Sequence, residues 1–488
     1  MSSQFECPDP LARAPRVVCD GRVPDTRLHL APPALQGAIV AILCRDTRGV
    51  ALTDAQRHQA YRALLDTIAC AIAGRGDDAS RLAADYMRGS TGPGNAMVWA
   101  TGETMHPEGA AFVNGVAAHV LDYDDVMTPM RGHISVAMVP ALCALAQMHG
   151  ARGTTGKRFS TAYLSGFELM AKFARLMALP HYSRGWHSTS ALGVLGATLA
   201  CSVLLDLSET QTANALGLAV AQAAGTRQNF GAMAKSFQAG QCNAAAVRAA
   251  LMAQAGFTAS ADAIDGRFGY LALYASGEDA SSALAALGQS DNGPLEIDAM
   301  GIDIKKYPCC YAIHRALDGL LALRKAHALT PENVTKIEIT NSAGGLDALL
   351  PQPPMTGLQA KFNMAYCMAA ALLDGAIRLA SFDDVQVMRP EIRAWLPKVS
   401  LKEAPGAILP RWSHVRVELA DGRVLEQRVN TARGDAGDPL SDAELIEKVA
   451  DCFAFGNHDA DAGAFAQRVF GLPEQRVNDA ILALHGSK

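Results

Sequence analysis

Ala51–Gly74 reads ALTDAQRHQAYRALLDTIACAIAG, and this stretch decides the fold class. Leu64, Leu65, Ile68, Ala69 and Ile72 recur at helical spacing and define one apolar face. Thr53 or Asp54 is suited to cap the start, and Gly74 is the expected left-handed terminator. The same reading extends through Pro107–Asp122, Val139–His149, Thr161–Ala178, Ala191–Leu205, Glu209–Ala224 and Ala239–Ala255. Alanine is abundant in all of them, so helix axes are able to approach closely, and strand signals are few. Residues 36–295 are therefore expected to form an all-helical domain.

Beyond about Gly293 the periodicity changes. Val334–Asn341 (VTKIEITN) alternates apolar and polar residues, as a half-buried strand does. His414–Val429 holds two alternating runs joined by Asp421-Gly422, a favoured hairpin turn. Helical runs at Ala312–His327 and Ala360–Leu379 lie between, so residues 296–430 are expected to be an α+β unit. Helix returns at Ser441 (SDAELIEKVADCFAF), where Ser441 and Glu444 spell a capping box. Residues 431–488 are expected to rejoin the first domain. The fold class is thus mainly α with an inserted α+β lid domain, preceded by a poorly ordered extension over residues 1–35.

Half of the 488 residues are apolar, ample for a large core and too many for global disorder. The net charge of -5, from 43 basic and 48 acidic residues, lacks the concentrated positive footprint of a nucleic-acid binder. It disfavours an anionic membrane surface for the same reason. With no uninterrupted apolar run of membrane-spanning length, no span is expected. The N-terminus lacks the apolar stretch of a secretory signal. Eleven cysteines, an odd number without a C-x-x-C, read as reduced packing thiols of a cytoplasmic protein. A Walker loop, G-x-G-x-x-G, H-E-x-x-H and G-x-S-x-G are all absent, which points away from the chemistries those motifs support.

The densest polar cluster is His119-Val-Leu-Asp122-Tyr-Asp124-Asp125, followed by Thr128 and Arg131-Gly-His133. An apolar helix runs straight into it, so three carboxylates sit where the helix dipole disfavours negative charge. Such a placement needs compensation. One reading is a divalent metal bound by His119, Asp122 and Asp125. Another is an Asp122–His133 pair, the acid fixing the tautomer for proton transfer. A third is a solvated acidic loop. Gly185-Trp186-His187-Ser188-Thr189 places His187 just ahead of a helix, where it is either a neutral base near free amides or a core histidine. Ala234-Lys235-Ser236-Phe237 and Ile304-Lys305-Lys306-Tyr307-Pro308-Cys309-Cys310 each follow apolar residues, so their lysines are candidates for desolvated bases or carboxylate-binding cations.

These segments together resemble the MmgE/PrpD family. The resemblance rests on LLDTIACAIAG (64–74), GAAFVNGVAAHVLDYDD (109–125), GWHSTSALGVLGA (185–197), AKSFQAGQ (234–241), KKYPCCYAIH (305–314), KFNMAYCMAAALLDG (361–375) and GDPLSDAELIEKV (437–449), in the family's order. It implies a two-domain homodimer with its site in the interdomain cleft and no metal or organic cofactor. Carried over motif by motif, it implies catalytic roles for Asp122, His133, His187, Lys235 and Lys305. Lys235, Lys305 and Lys306 would bind substrate, with lid closure bringing Lys305 onto it. The implied substrate is a small di- or tricarboxylate, and no nucleic acid or membrane partner is implied.

The pattern departs in three places. Val126 stands where many members have Thr, His133-Ile134-Ser135 replaces H-P-S after a slightly longer loop, and Ser188 follows His187 in place of Pro. Loss of the Thr hydroxyl puts a 2-methylcitrate-dehydratase-like lyase first. An iminodisuccinate-like epimerase or isomerase, a cis-aconitate-type decarboxylase and a non-catalytic carboxylate-binding protein are the alternatives.

Overall fold

The computed structural model describes residues 51–148, 153–275 and 294–485. The expected extension over 1–35, with Cys7 and Cys19, and also Cys44, lies outside the described residues.

The helical part is built from α1 (Asp54–Ala73), α2 (Asp78–Ser90), α3 (Pro107–His119), α4 (Val139–Met148), α5 (Gly156–Ser183), α6 (Ser188–Ala191), α7 (Gly193–Leu205), α8 (Glu209–Val220) and α9 (Ala234–Gln254). Thr53 caps α1 and Gln56 completes the box. Gly74 ends α1 differently from expectation: its φ is -76°, a right-handed value any residue adopts. Packing explains the glycine, because a Cβ there would lie 2.1 Å from the Ala117 carbonyl oxygen of α3. Close approach recurs between α3 and α9, where a Cβ on Gly115 would stand 3.0 Å from the Cα of Gly240. The stretch Ser188–Leu205 is long and apolar enough to cross a bilayer by length and composition, yet 94% of it is buried inside the protein.

A four-stranded sheet forms the second part, in the order β4-β3-β5-β6. Its strands are β3 (Val334–Asn341), β4 (Val399–Glu403), β5 (Ser413–Leu419) and β6 (Val424–Val429), while β1 (Ala96–Met97) and β2 (Thr104–Met105) pair separately in the helical part. β3 runs parallel to β4 and antiparallel to β5, aligning Ile337 with Val417 and Ile339 with Val415. Their buried faces pack against α10 (Tyr311–His327), and α11 (Met364–Asp374) packs on α10. The alternation expected for β6 does not bury one face, because β6 is an edge strand with Val424 and Glu426–Arg428 exposed.

Two hydrophobic cores result. One contains buried residues up to Ile304, Leu379 from within the lid segment, and residues again from Leu440, and the other lies between Tyr307 and Leu419. Ile297, Ile302 and Ile304 therefore belong to the helical core, although the sequence pattern suggested a change at 296. The return is made by α12 (Asp442–Phe455), capped by Ser441 with Glu444. Its Leu445, Val449, Cys452 and Phe453 enter the helical core beside α1. Asp442 pairs with Arg62 and His58, and buried Lys448 reaches Asp66 at 2.6 Å. All eight cysteines among the described residues are buried and free.

Candidate active site

The segment between α3 and α4 carries the acidic motif. Asp122 follows the helix with φ +52°, a left-handed conformation that Asp tolerates better than most residues. This turn sends its carboxylate away from the helix axis. Lys235 and Lys305 receive it: Lys235 Nζ donates to Asp122 Oδ1, and Lys305 Nζ donates to Oδ2 at 2.9 Å and to the Asp122 carbonyl at 2.8 Å. Burial opposes ionisation of Asp122, but Lys235, Lys305 and then His133 outweigh it and hold the carboxyl well below the usual range. The unfavourable dipole of α3 is thus offset by two ammonium groups.

Both lysines are buried. Lys235 lies in the first turn of α9, not in a loop ahead of a helix starting at Ala239. Lys305 sits in the cleft with its side chain fully buried, so the expected lid movement is not required to deliver it. Lys306 is a correction. Its side chain turns outward, 43% exposed, over the Tyr307 ring and 3.5 Å from Asp318. Successive residues of an extended segment point to opposite sides, so only one of the two lysines enters the cleft.

His133 is flanked by two carboxylates. Its Nε2 is 3.4 Å from Asp122 and its Nδ1 is 2.8 Å from Asp124, the latter approach lying off the hydrogen-bond axis. Asp124 also accepts from His119 Nδ1 at 2.9 Å. The acid that orients His133 is therefore Asp124 as well as Asp122. Burial opposes the charge on Asp124, and His133 and His119 more than compensate, holding it well below the usual carboxylate range. Burial keeps His119 neutral, down at about 3, despite Asp124.

His119, Asp124 and His133 each offer one ligand atom within 4.8 Å of the others, a donor set suited to a borderline divalent metal. The trio suggested by the sequence, His119, Asp122 and Asp125, is not brought together in this way. Asp125 turns inward, where it accepts from the Ser135 amide at 3.1 Å and from the Ser135 hydroxyl.

His187 precedes α6 and bonds Gln238 Oε1 through Nδ1 at 2.7 Å. Gln238 Nε2 donates to the Thr226 carbonyl at 3.0 Å, which fixes the amide orientation. Nδ1 of His187 therefore carries the proton, and Nε2 holds a free lone pair. Burial, His119 and Lys235 push its pKa well below the ordinary value, so the ring is neutral. Gln238 lies three residues after Lys235, on the same face of α9. That spacing in AKSFQAGQ was the available signal for it.

Asp122, His133, His187, Lys235 and Lys305 all line one cleft of about 860 Å³, counting its open mouth, between the helical platform and the lid. Phe230 and Phe362, 5.5 Å apart, form an apolar wall beside Lys235. Val126 lines the cleft with Thr128, whose hydroxyl is committed to Asp303 at 2.5 Å. Arg131, named with the acidic cluster but given no role, also lines it, as do Arg315 and Arg411, which sequence reasoning missed. Arginine is common, and only folding brings positions this far apart together. The site combines an ionised carboxylate, paired cations, a carboxylate-flanked imidazole and a neutral imidazole. It is equipped to hold anions and to move a proton at an adjacent carbon.

A model of the MmgE/PrpD N-terminal domain matches residues 40–283, and a model of the MmgE/PrpD C-terminal domain matches residues 307–470. Among curated proteins, the chain is 28% identical over 408 residues to cis-aconitate decarboxylase of Homo sapiens, covering 81% of this chain and 83% of the relative. It is 29% identical over 416 residues to the Mus musculus protein of that name, covering 81% and 82%. It is 24% identical over 442 residues to cis-aconitate decarboxylase of Aspergillus terreus (strain NIH 2624 / FGSC A1156), covering 85% and 89%.

Proposed function

The chain belongs to the MmgE/PrpD family and is an enzyme, and on that premise we propose that it is a lyase that decarboxylates a small tricarboxylate such as cis-aconitate. The observation that carries the reading is His133 standing between the carboxylates of Asp122 and Asp124, in one cleft with Lys235 and Lys305. The names of the relatives support decarboxylation over the 2-methylcitrate dehydration that the sequence put first. Val126 was the ground for that order, and it does not outweigh them. Its apolar side chain gives a departing carboxylate a poorly solvating neighbour, which favours release as neutral CO2.

Chemically, the carbon–carboxylate bond breaks, CO2 leaves, and the electron pair stays on carbon. An adjacent alkene spreads that pair over an allylic system, and one proton must then reach carbon. His133 is assigned to deliver it, with Asp122 and Asp124 stabilising the protonated ring. Lys235 and Lys305 stabilise the remaining carboxylates as negative charge builds. His187, neutral with a free Nε2, accepts a hydrogen bond from substrate or water.

The test is incubation with cis-aconitate in deuterated water, followed by CO2 measurement and NMR. One deuteron incorporated per CO2 released is the expected result. Loss of a hydroxyl from 2-methylcitrate without CO2 would restore the dehydratase reading, and deuterium uptake by iminodisuccinate without net conversion would favour an epimerase. A homodimeric state and a cytoplasmic location belong to the same proposal, the first checked by light scattering.

A further inference from the structure

Arg131 and Arg411 enter the cleft without touching Asp122. Arg131 sits in the longer loop ahead of His133, with φ +53°. A non-glycine residue in that region is strained, so the surrounding contacts must hold it there. Its side chain is 10% exposed and its guanidinium stacks on Tyr182, 4.0 Å from the ring centre. Nη2 donates to the Gly344 carbonyl and pairs with Asp347, both at 3.2 Å. Nη1 is buried and has no hydrogen-bond partner.

Arg411 approaches from the lid. Its Nη1 donates to the Ala343 carbonyl at 3.2 Å, and among the described residues no carboxylate lies within ion-pair distance of it. Burial and then Arg131 draw its pKa down to about 10, so the group stays charged while lacking a counter-ion. The single carboxylate of Asp347 is thus paired with Arg131, and Arg411 is left without a carboxylate partner. Ser342 and Ser413 also line the cleft, the Ser413 hydroxyl donating to Asn341 Oδ1 at 2.7 Å. Arg131 keeps one buried N–H group unpaired and half-buried Arg411 keeps a charge that no carboxylate balances, both of which are costly, and a planar carboxylate matches the guanidinium fork in charge and shape.

We propose that Arg131 and Arg411 form a second anion subsite, which takes the substrate carboxylate not engaged by Lys235 and Lys305 and selects tricarboxylates over dicarboxylates. This rests on the reading of the cleft as a carboxylic-acid site. The competing role for Arg131 is purely structural, since its bond to Asp347 ties the helical platform to the lid.

Calorimetric titration of the full chain with propane-1,2,3-tricarboxylate and with methylsuccinate, which lacks one terminal carboxylate, separates these roles. The unmodified protein is expected to prefer the tricarboxylate by at least tenfold. Arg411→Met, which leaves the Asp347 pair intact, should abolish that preference while changing methylsuccinate binding less than twofold. Arg131→Lys should weaken the preference only partly, because it keeps the charge and loses the fork. An unchanged preference in Arg411→Met, or an equal loss for both ligands, would overturn the subsite. The preference in the unmodified protein together with no turnover of cis-aconitate would leave the subsite standing and defeat the decarboxylase reading.

Discussion

Lys235 and Gln238 are one helical turn apart, and their replacements should fail differently. Lys235→Ala leaves Asp122 with one ammonium partner and removes a cation aimed at substrate. We expect kcat/KM to fall by about 100-fold or more. Gln238 is outside the cleft lining and is expected to act through His187. Gln238→Leu should lower kcat by about 10- to 100-fold, the range for partners that orient a functional imidazole. Gln238→Glu, which keeps an acceptor for the His187 Nδ1–H, should recover part of that loss, whereas a merely packing residue would show no such rescue. Asp303 offers a pH test. Burial and then the nearby Asp435 raise its carboxyl to about 6. A raised carboxylate stabilises the fold below its unfolded value near 4, and that contribution disappears as pH rises through about 6. Asp303→Asn should therefore flatten the stability profile between about pH 4 and 6, removing a decline of roughly 2–3 kcal/mol in denaturant midpoints converted to free energy.

Elements decide where such residues arrive. Gly74→Ala would ordinarily be neutral or mildly stabilising at a right-handed φ. Here the added methyl meets the Ala117 carbonyl across α1 and α3, so we expect a loss of about 1–3 kcal/mol by urea denaturation. The sequence marked this glycine and misassigned its reason, because spacing locates a helix end but not the helix that crosses it. The helices, the β3 strand, the Ser441 capping box and a cap at Thr53 or Asp54 were readable, since each depends on neighbours within four residues. The outward turn of Lys306, the edge position of β6 and the Arg411 side chain in the cleft were not. These depend on how the chain folds back on itself: on Asp122 taking Lys305 in place of its neighbour, on which strand ends the sheet, and on the loop at Ala343 that meets Arg411. In the site, Asp122, His133, His187, Lys235 and Lys305 could be named from their motifs. Asp124 was visible in the same motif, but its role needed the coordinates of two imidazoles.

For the whole molecule, the buried Asp66–Lys448 pair joins α1 to α12 beneath the acidic loop, and Lys448 also donates to the Tyr123 carbonyl at 2.8 Å. Lys448→Met strands the Asp66 carboxylate and should cost about 3–5 kcal/mol. Combining it with Asp66→Leu should restore much of that stability, since replacing both partners with apolar groups removes the uncompensated charge. Paired denaturation curves check the sign of the difference.

The late position of α12 also sets an order of events on the ribosome. Synthesis proceeds at roughly 5–20 residues per second, with each unit folding as it emerges. The lid core, from Tyr307 to Leu419, and the edge strand β6 are synthesised before Leu445, Val449 and Phe453 exist to fill the helical core. The platform carrying His133 and Lys235 thus waits, unfinished, while the piece that covers it is made. Lys448 fastens the Tyr123 carbonyl only after the whole lid has been made, so a nascent chain stalled inside the lid holds every residue of the acidic loop and no working cleft.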